Sequence, residues 1–217
     1  SRAAKAIINV EVSAVTGIST ATIPKGFSFQ SSLNNVPYFF ITNEAVTKSR
    51  ENNVLRFENL EVFEGTLITT KYTVDADNVD QRFIVPDLKA DMSTLKVTVQ
   101  NSSTDSTTQT YTESADIVQA TSTSNIYFVQ EVEDGQHEII FGDGVIGKKL
   151  TDGNIVTLEY IVTNETLANG ATNLTGSSQI GGSTAYTVTT LSAATGGATR
   201  ETIDSIKFNA PLDYLSL

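Results

Sequence analysis

Apolar residues recur at every second position through most of this chain, and that period limits what it can fold into. A period of two places successive side chains on opposite faces of an extended backbone, so each such stretch has one face to bury and one to wet. In AKAIINVEVSA, Ala6, Ile8, Val10, Val12 and Ala14 alternate with mainly polar neighbours. STLKVTV repeats the pattern with Leu95, Val97 and Val99, and Val156, Leu158, Tyr160 and Val162 repeat it again. Around that last set, Ile155, Thr157, Glu159 and Ile161 form a mixed second face, which predicts a central strand. Val, Ile and Thr are abundant, and these branched side chains suit a pleated, half-buried surface.

The breaks between these stretches are turn-forming residues. ATIPKGFSFQSS has a Pro-Lys-Gly turn at 24–26, after which Phe27 and Phe29 share a face. NVLRFENLEVFEGTLITTKYTVD carries Leu60, Val62, Leu67, Tyr72 and Val74 and is interrupted by Gly65, which predicts two strands around a bend or bulge. Pro86 ends a short strand in QRFIVPD, and no apolar residue occurs from Gln100 to Thr110, which predicts an exposed hairpin tip or mobile loop. From Asn164 to Gly197, Gly, Ser, Thr and Ala dominate around one strand, AYTVTTL, giving a loop-rich extension. In ATRETIDSIKFNAPLDYLSL, Thr199 can cap a helix, Glu201 lies in its first turn, Ile203 and Ile206 make an apolar stripe and Pro211 ends it.

The fold expected from these features is all-β, mainly antiparallel, with sandwich-like β subdomains and one short C-terminal helix. Its divisions are expected at 1–64, 65–163 and 164–217, the last being the extension and helix, and the abrupt start reads as a fragment of something longer.

Composition removes several classes of function. The net charge is −11 and the 14 basic residues are scattered, a field that repels phosphate backbones, so no nucleic-acid partner is expected. Without cysteine there is no disulfide framework, thiolate metal site or Cys nucleophile. No apolar run reaches the roughly 18 residues of a transmembrane helix, so no membrane insertion is expected.

The segment EDGQHEIIFGDGVIGKKLTDGN places Asp-Gly pairs at Asp134–Gly135, Asp143–Gly144 and Asp152–Gly153, at equal spacing. Calcium-binding β-rolls repeat at such an interval, but they need several glycines and an Asp in a fixed pattern. Here QHEIIFG and VIGKKLT do not repeat one another, and Lys148 and Lys149 would repel an ion. Gly142, Gly144 and Gly147 fit a dinucleotide fingerprint, which requires a helix to start at the glycines, whereas this segment leads into another strand. Asp-Gly and Asn-Gly pairs accept positive φ and suit antiparallel strands. Asp134, Gly135, Gly142, Asp143, Gly144, Asp152, Gly153, Asn169 and Gly170 are therefore expected to be structural turns, with short strands between the Asp-Gly pairs.

His137 is the one histidine and alternates with Ile139 and Phe141 on a strand, a setting for a structural residue. No nucleophile elbow or zinc-binding helix motif occurs, and Glu131 with Glu133 reads as an exposed charged face rather than a glycosidase pair. No catalytic residue, cofactor or metal is expected.

Two segments carry a resemblance. FGDGVIGKKLTDGNIVTLEYIVTNETLANGATNL at 141–174 and GGATRETIDSIKFNAPLDY at 196–214 resemble the baseplate J-like family of contractile-tailed phages, and within it the wedge subunits of the inner baseplate ring of large myoviruses. The first is similar to that family's Phe-Gly-Asp-Gly turn, Tyr-ended strand and Asn-Gly-Ala turn, the second to its glycine pair, Glu-Thr helix and Asn-Ala-Pro element. TIPKGFSF at 22–29 is similar to its Ile-Pro-x-Gly turn. The resemblance implies a structural virion protein that self-associates as a dimer or ring around the tail tube, contacts other baseplate wedge proteins, and is assembled in the host cytoplasm. The alternative from another class is a carbohydrate- or receptor-binding β-module, which would display aromatics that stack on sugars.

Overall fold

The computed structural model describes residues 1–13, 17–114 and 120–200. The chain forms two compact units, one built from Ser1–Thr66 together with the chain from Thr163 onward, the other from Leu67–Val162. The first unit contains β1 (Lys5–Ser13), β2 (Thr20–Ile23), β3 (Ser28–Leu33), β4 (Val36–Ile41), β5 (Val46–Ser49) and β6 (Val54–Glu64). The second contains β7 (Thr66–Thr73), β8 (Phe83–Val85), β9 (Ala90–Gln100), β10 (Thr108–Glu113), β11 (Ile126–Glu131), β12 (His137–Phe141) and β13 (Ile155–Val162). The chain then returns to the first unit for β14 (Thr175–Gly176) and β15 (Tyr186–Thr195).

In the first unit the strands make a six-stranded sheet in the order β14-β3-β4-β6-β1-β15, with β2 and β5 paired antiparallel as a separate two-stranded sheet. The alternation read in β1 is the burial pattern of the strand: Ala6, Ile8, Val10 and Val12 are buried, Lys5, Ile7, Asn9 and Glu11 are half-buried and Ser13 is exposed; Ala14 lies outside the described residues. On β6 the period slips. Ile8 faces Leu60 and Val10 faces Phe57, so Glu58 and Asn59 together oppose Asn9. Asn59 takes φ of 53° and its N–H donates to Asn9 Oδ1 at 2.9 Å. This bulge lets Phe57 and Leu60 both reach the core, where strict alternation would have turned one outward. With Phe29, Phe40, Ile23, Leu55 and Ile180 they form an apolar interior, and each large side chain fully buried there stabilises by about 1.5–3 kcal/mol.

Two of this unit's tight turns, the β3–β4 hairpin and the turn closed by the Glu51–Val54 bridge, are made by Asn-Asn pairs that the sequence reading did not single out. Asn34 and Asn35 have φ of 52° and 63° between β3 and β4, and Asn52 and Asn53 have 50° and 63° between β5 and β6. Asparagine tolerates the left-handed region better than other side chains, and two such residues in succession match the twist of a tight hairpin.

The second unit is a single seven-stranded sheet, ordered β7-β13-β9-β10-β11-β12-β8. β10 pairs with β11 in parallel, whereas the β9–β10, β11–β12, β8–β12 and β9–β13 pairs are antiparallel. At its centre Val97 faces Leu158 and Val99 faces Val156. A register shift after Glu159 brings Ile161 opposite Asp91, and the Ile161 N–H donates to Thr94 Oγ1 at 3.0 Å, so Tyr160 and Ile161 are both buried.

The sheet curls. β7 and β8 lie at opposite ends of the strand order, yet the Tyr72 hydroxyl of β7 donates to the Ile84 carbonyl of β8 at 2.6 Å. Edge-on ring contacts run from Tyr72 to Phe83 at 5.6 Å, Phe83 to Phe141 at 5.3 Å and Phe141 to Tyr111 at 5.5 Å. The expectation of sandwich-like subdomains is thereby corrected to a partly barrel-like sheet: strand twist brings the two edges together, and large rings fill the space that a second sheet would otherwise fill.

Gly65 is the bend between β6 and β7, and residues 164–200 supply two strands to the first unit's sheet although their composition reads as an extension. Among the described residues helical geometry is limited to the short 3-10 turns Glu133–Gly135 and Glu165–Ala168. The expected C-terminal helix, with Glu201, Ile203, Ile206 and Pro211, lies outside the described residues.

Candidate functional site: the glycine turns and the clamp at Glu64

The three Asp-Gly pairs sit at three different kinds of chain reversal. Asp134 and Gly135 take φ of 63° and 77° in the connection from β11 to β12, where Gly135 N–H donates to Val132 O at 3.1 Å. Asp152 and Gly153 precede β13. Gly153 has φ of 75° and its N–H reaches Val74 O at 2.9 Å, while Asp152 Oδ1 accepts the Ala76 N–H at 3.0 Å.

Gly142, Asp143 and Gly144 belong to a compact loop. Asp143 Oδ1 accepts the N–H groups of Val145 at 2.8 Å and Ile146 at 2.9 Å. Gly144 N–H donates to Gly147 O at 3.1 Å, Gly147 N–H to Thr121 O at 3.0 Å, and Lys148 N–H to Ser124 O at 2.8 Å. The two interior amides, the Ile146 N–H first, hold the Asp143 carboxyl below its ordinary value. Gly142 approaches Gly147 so closely that a Cβ on Gly142 would overlap the Gly147 backbone. The interval from Asp134 to Asp143 contains a strand, β12, but the interval from Asp143 to Asp152 contains none. Gly144 and Gly147, with φ of 93° and 81°, turn the backbone away from extended geometry there, so the equal spacing is not a repeated structural unit.

At Gly144 an added side chain would meet only Lys149 Cβ at 3.5 Å, so the obstacle is the positive φ rather than space. Gly144→Val is expected to lower stability by about 1–2 kcal/mol, more than Gly144→Asn, because a β-branched residue tolerates this region poorly. Equal melting temperatures for wild type and Gly144→Val would contradict this.

Asn169 and Gly170 form the reversal after the second 3-10 turn. Asn169 Nδ2 donates to Gly197 O at 2.8 Å, and Gly197 N–H donates to Asn169 Oδ1 at 2.9 Å. Gly170 N–H donates to Ala194 O at 2.7 Å and Ala194 N–H to Ala171 O at 2.8 Å. The Asn-Gly-Ala turn and the glycine pair, separate in sequence, are therefore one structural element. Its closeness requires glycine at 197, since a Cβ there would overlap the Glu165 carbonyl oxygen.

Glu64 was not singled out by sequence reasoning and is 1% exposed. Its carboxyl oxygens accept Thr163 Oγ1–H at 2.7 Å, Asn164 N–H at 2.9 Å and Asn164 Nδ2–H at 2.6 Å. It thus clamps the segment through which the chain re-enters the first unit to the end of β6. An acidic residue in an alternating strand looks like part of the wet face; only its place on the inner side of the bulge-shifted pattern, ending β6 as buried, could have signalled otherwise.

The tip between β9 and β10 is ordered by its own side chains: Asn101 Nδ2 donates to Asp105 Oδ2 at 2.7 Å and Thr107 N–H to Asp105 Oδ1 at 2.9 Å. These bonds, that of Asn101 foremost, bring the Asp105 pKa from 3.8 down to about 2. Glu138 is lowered as well, chiefly by its paired hydrogen bonds from Arg82 at 3.0 and 2.8 Å. A carboxyl whose folded pKa is depressed stabilises the fold above its unfolded pKa and loses that contribution as pH falls. The melting temperature is therefore expected to drop between about pH 4 and pH 2, and less steeply in Asp105→Asn. Parallel curves for the two proteins would remove Asp105 as a contributor.

His137 is half-buried on β12, opposite Glu131 and Val85 in register. Among the described residues no three His, Asp or Glu side chains are grouped so as to hold a metal ion, and no helix is long and apolar enough to cross a membrane.

Comparison with known proteins places these elements. Residues 67–169 match the family described as bacteriophage baseplate wedge protein gp6, third domain. The match begins where the second unit begins and runs past Val162 to Asn169. Baseplate wedge protein gp6 of Enterobacteria phage T4 is 31% identical over 170 residues, covering 69% of this chain and 24% of that protein. The chain thus spans about a quarter of the length of this curated relative. Together the two likenesses, one over a complete compact unit and one over most of the chain, support a phage baseplate wedge family for this protein.

Proposed function

We propose that this chain is a structural part of a phage tail baseplate that acts through its contacts: it self-associates into a ring around the tail tube, binds other wedge proteins, and takes part in tail assembly and contraction. The proposal includes membership of the baseplate J-like family, assembly in the host cytoplasm and no catalytic step. The observation that carries it is the family match over 67–169, which starts at the boundary of a compact unit and so covers a whole folded body. The surface supports contact work over sugar recognition. Among the described residues Phe39 is the exposed aromatic ring, and the tyrosines at 38, 72, 111, 127, 160 and 186 are buried or half-buried, which leaves no platform of paired rings. The test is mass in solution by sedimentation across a concentration series, for the chain alone and mixed with wedge proteins of the same phage. Assembly in either setting supports the proposal; a concentration-independent monomer that binds none of them refutes it.

A further inference from the structure

The folded chain places its three Asp-Gly pairs and its Asn169–Gly170 pair in unequal chemical positions. In such a pair the nitrogen of the glycine can attack the side-chain carbonyl carbon before it, and glycine, having no Cβ, obstructs that attack least. At three of the four the attack is opposed by hydrogen bonds. Asp143 Oδ1 accepts the N–H groups of Val145 and Ile146 at 2.8 and 2.9 Å. Asp152 Oδ1 accepts the Ala76 N–H at 3.0 Å, and the attacking nitrogen, that of Gly153, donates to Val74 O at 2.9 Å. The Asn169 side chain is tied through both its oxygen and its nitrogen to Gly197, and Gly170 N–H donates to Ala194 O at 2.7 Å.

Asp134 differs from these on both sides of the reaction. It is exposed, and among the described residues its carboxyl receives no hydrogen bond or ion pair. Gly135 N–H donates to Val132 O at 3.1 Å, three residues back in the same 3-10 turn. Opening that one turn breaks this bond, whereas Gly153 and Gly170 would have to leave Val74 and Ala194, which are distant in sequence. Asp134 also holds φ of 63° and ψ of 7°, in the left-handed region that a non-glycine residue occupies at a cost, so leaving the turn relieves strain.

We propose that Asp134 is a site of spontaneous covalent modification in the folded protein, isomerising to isoaspartate while Asp143, Asp152 and Asn169 are protected. The Gly135 nitrogen attacks the Asp134 carboxyl carbon: a C–N bond forms, a carboxyl C–O bond breaks, and the hydroxyl leaves with the amide proton as water. Water then adds to the resulting five-membered imide. Where it opens the ring at the α-carbonyl, the main chain runs on through the side-chain carbon and a free carboxylate is left on the α-carbon. The reaction needs no oxidant, cofactor or second protein. Its product lengthens the β11–β12 connection by one methylene and places the new carboxylate at a hollow of about 530 Å³ lined by Arg82, Gln130 and Gln136. The paired stretches Tyr127–Glu131 and His137–Phe141 lie outside the altered link, so the modification changes this surface without unpairing the strands.

The test is prolonged warm incubation of the whole chain, folded and in urea, followed by labelling with an isoaspartyl methyltransferase and peptide mapping. In the folded chain isoaspartate at 134 is expected to exceed that at 143, 152 or 169 by about tenfold or more, because each of those must first break side-chain hydrogen bonds. In urea all four positions are expected to react, which shows that the fold and not the residue pair makes the choice. Asp134→Glu, whose longer side chain cannot close the five-membered ring, is expected to lose most of the label formed in the folded state. Comparable isoaspartate at all the Asp-Gly pairs of the folded chain, or a maximum at 143, 152 or 169, overturns the proposal. So does a folded chain that forms none at 134 while the urea sample does, and so does an Asp134→Glu protein labelled as heavily as wild type.

Discussion

Glu64→Ala is expected to destabilise the first unit by about 2–4 kcal/mol, a larger effect than that expected of substitutions at Gly144 or Gly153. The residue is 1% exposed and its carboxyl receives three hydrogen bonds, so its removal strands the buried Thr163 hydroxyl and releases the exposed Asn164 from the end of β6. Glu64→Gln separates the hydrogen-bond contribution from packing. It keeps the shape and one acceptor oxygen but turns an NH₂ group toward donors, so it is expected to lie between wild type and alanine. The measurement is urea unfolding followed by a probe in the first unit. A Glu64→Ala protein within about 1 kcal/mol of wild type would mean that the clamp adds no more than an ordinary hydrogen bond.

Gly142→Ala is expected to cost the second unit about 1–3 kcal/mol, from steric overlap alone. The added methyl would occupy space held by the Gly147 backbone, and backbone cannot swing away as a side chain can. Gly153→Ala is the control: with φ of 75° and nothing within 4 Å of the added Cβ, it meets only conformational strain, about 1 kcal/mol. If overlap dominates, Gly142→Ala is the more damaging of the two in calorimetry and also lowers order at Val145 and Ile146. A reversed ranking would show that the loop relaxes and that glycine is kept there for some other reason.

The strands of β1, β9 and β13 were legible because their information is local: a residue and its second neighbour share a face, and Ile8, Val97 or Leu158 is apolar for that reason alone. The same holds for the Asp-Gly reversals, since a positive φ is a property of one residue. The slip at Glu58–Asn59 was not legible. Both residues are polar and read as wet-face positions, and only the opposing Asn9, far away in sequence, shows that two residues share one place. The equal spacing of the Asp-Gly pairs misled for the converse reason: an interval in sequence measures chain length, and Gly144 and Gly147 spend that length on a loop where His137–Phe141 spends it on a strand.

The candidate site divides in the same way. Asp143, Gly144, Asn169 and Gly170 could be named from residue type, but that Asn169 pairs with Gly197, that Gly142 touches Gly147 and that Glu64 is buried under Asn164 required the folded chain. By itself the sequence determined an all-β chain without cysteine, the faces of its main strands and the places where it turns. The tertiary structure alone decided that residues after Thr163 rejoin the first unit and that a single sheet curls in the second. The physical reason is that periodicity and turn preference act over a few bonds, whereas pairing, register and burial are settled by which distant segments exclude water together.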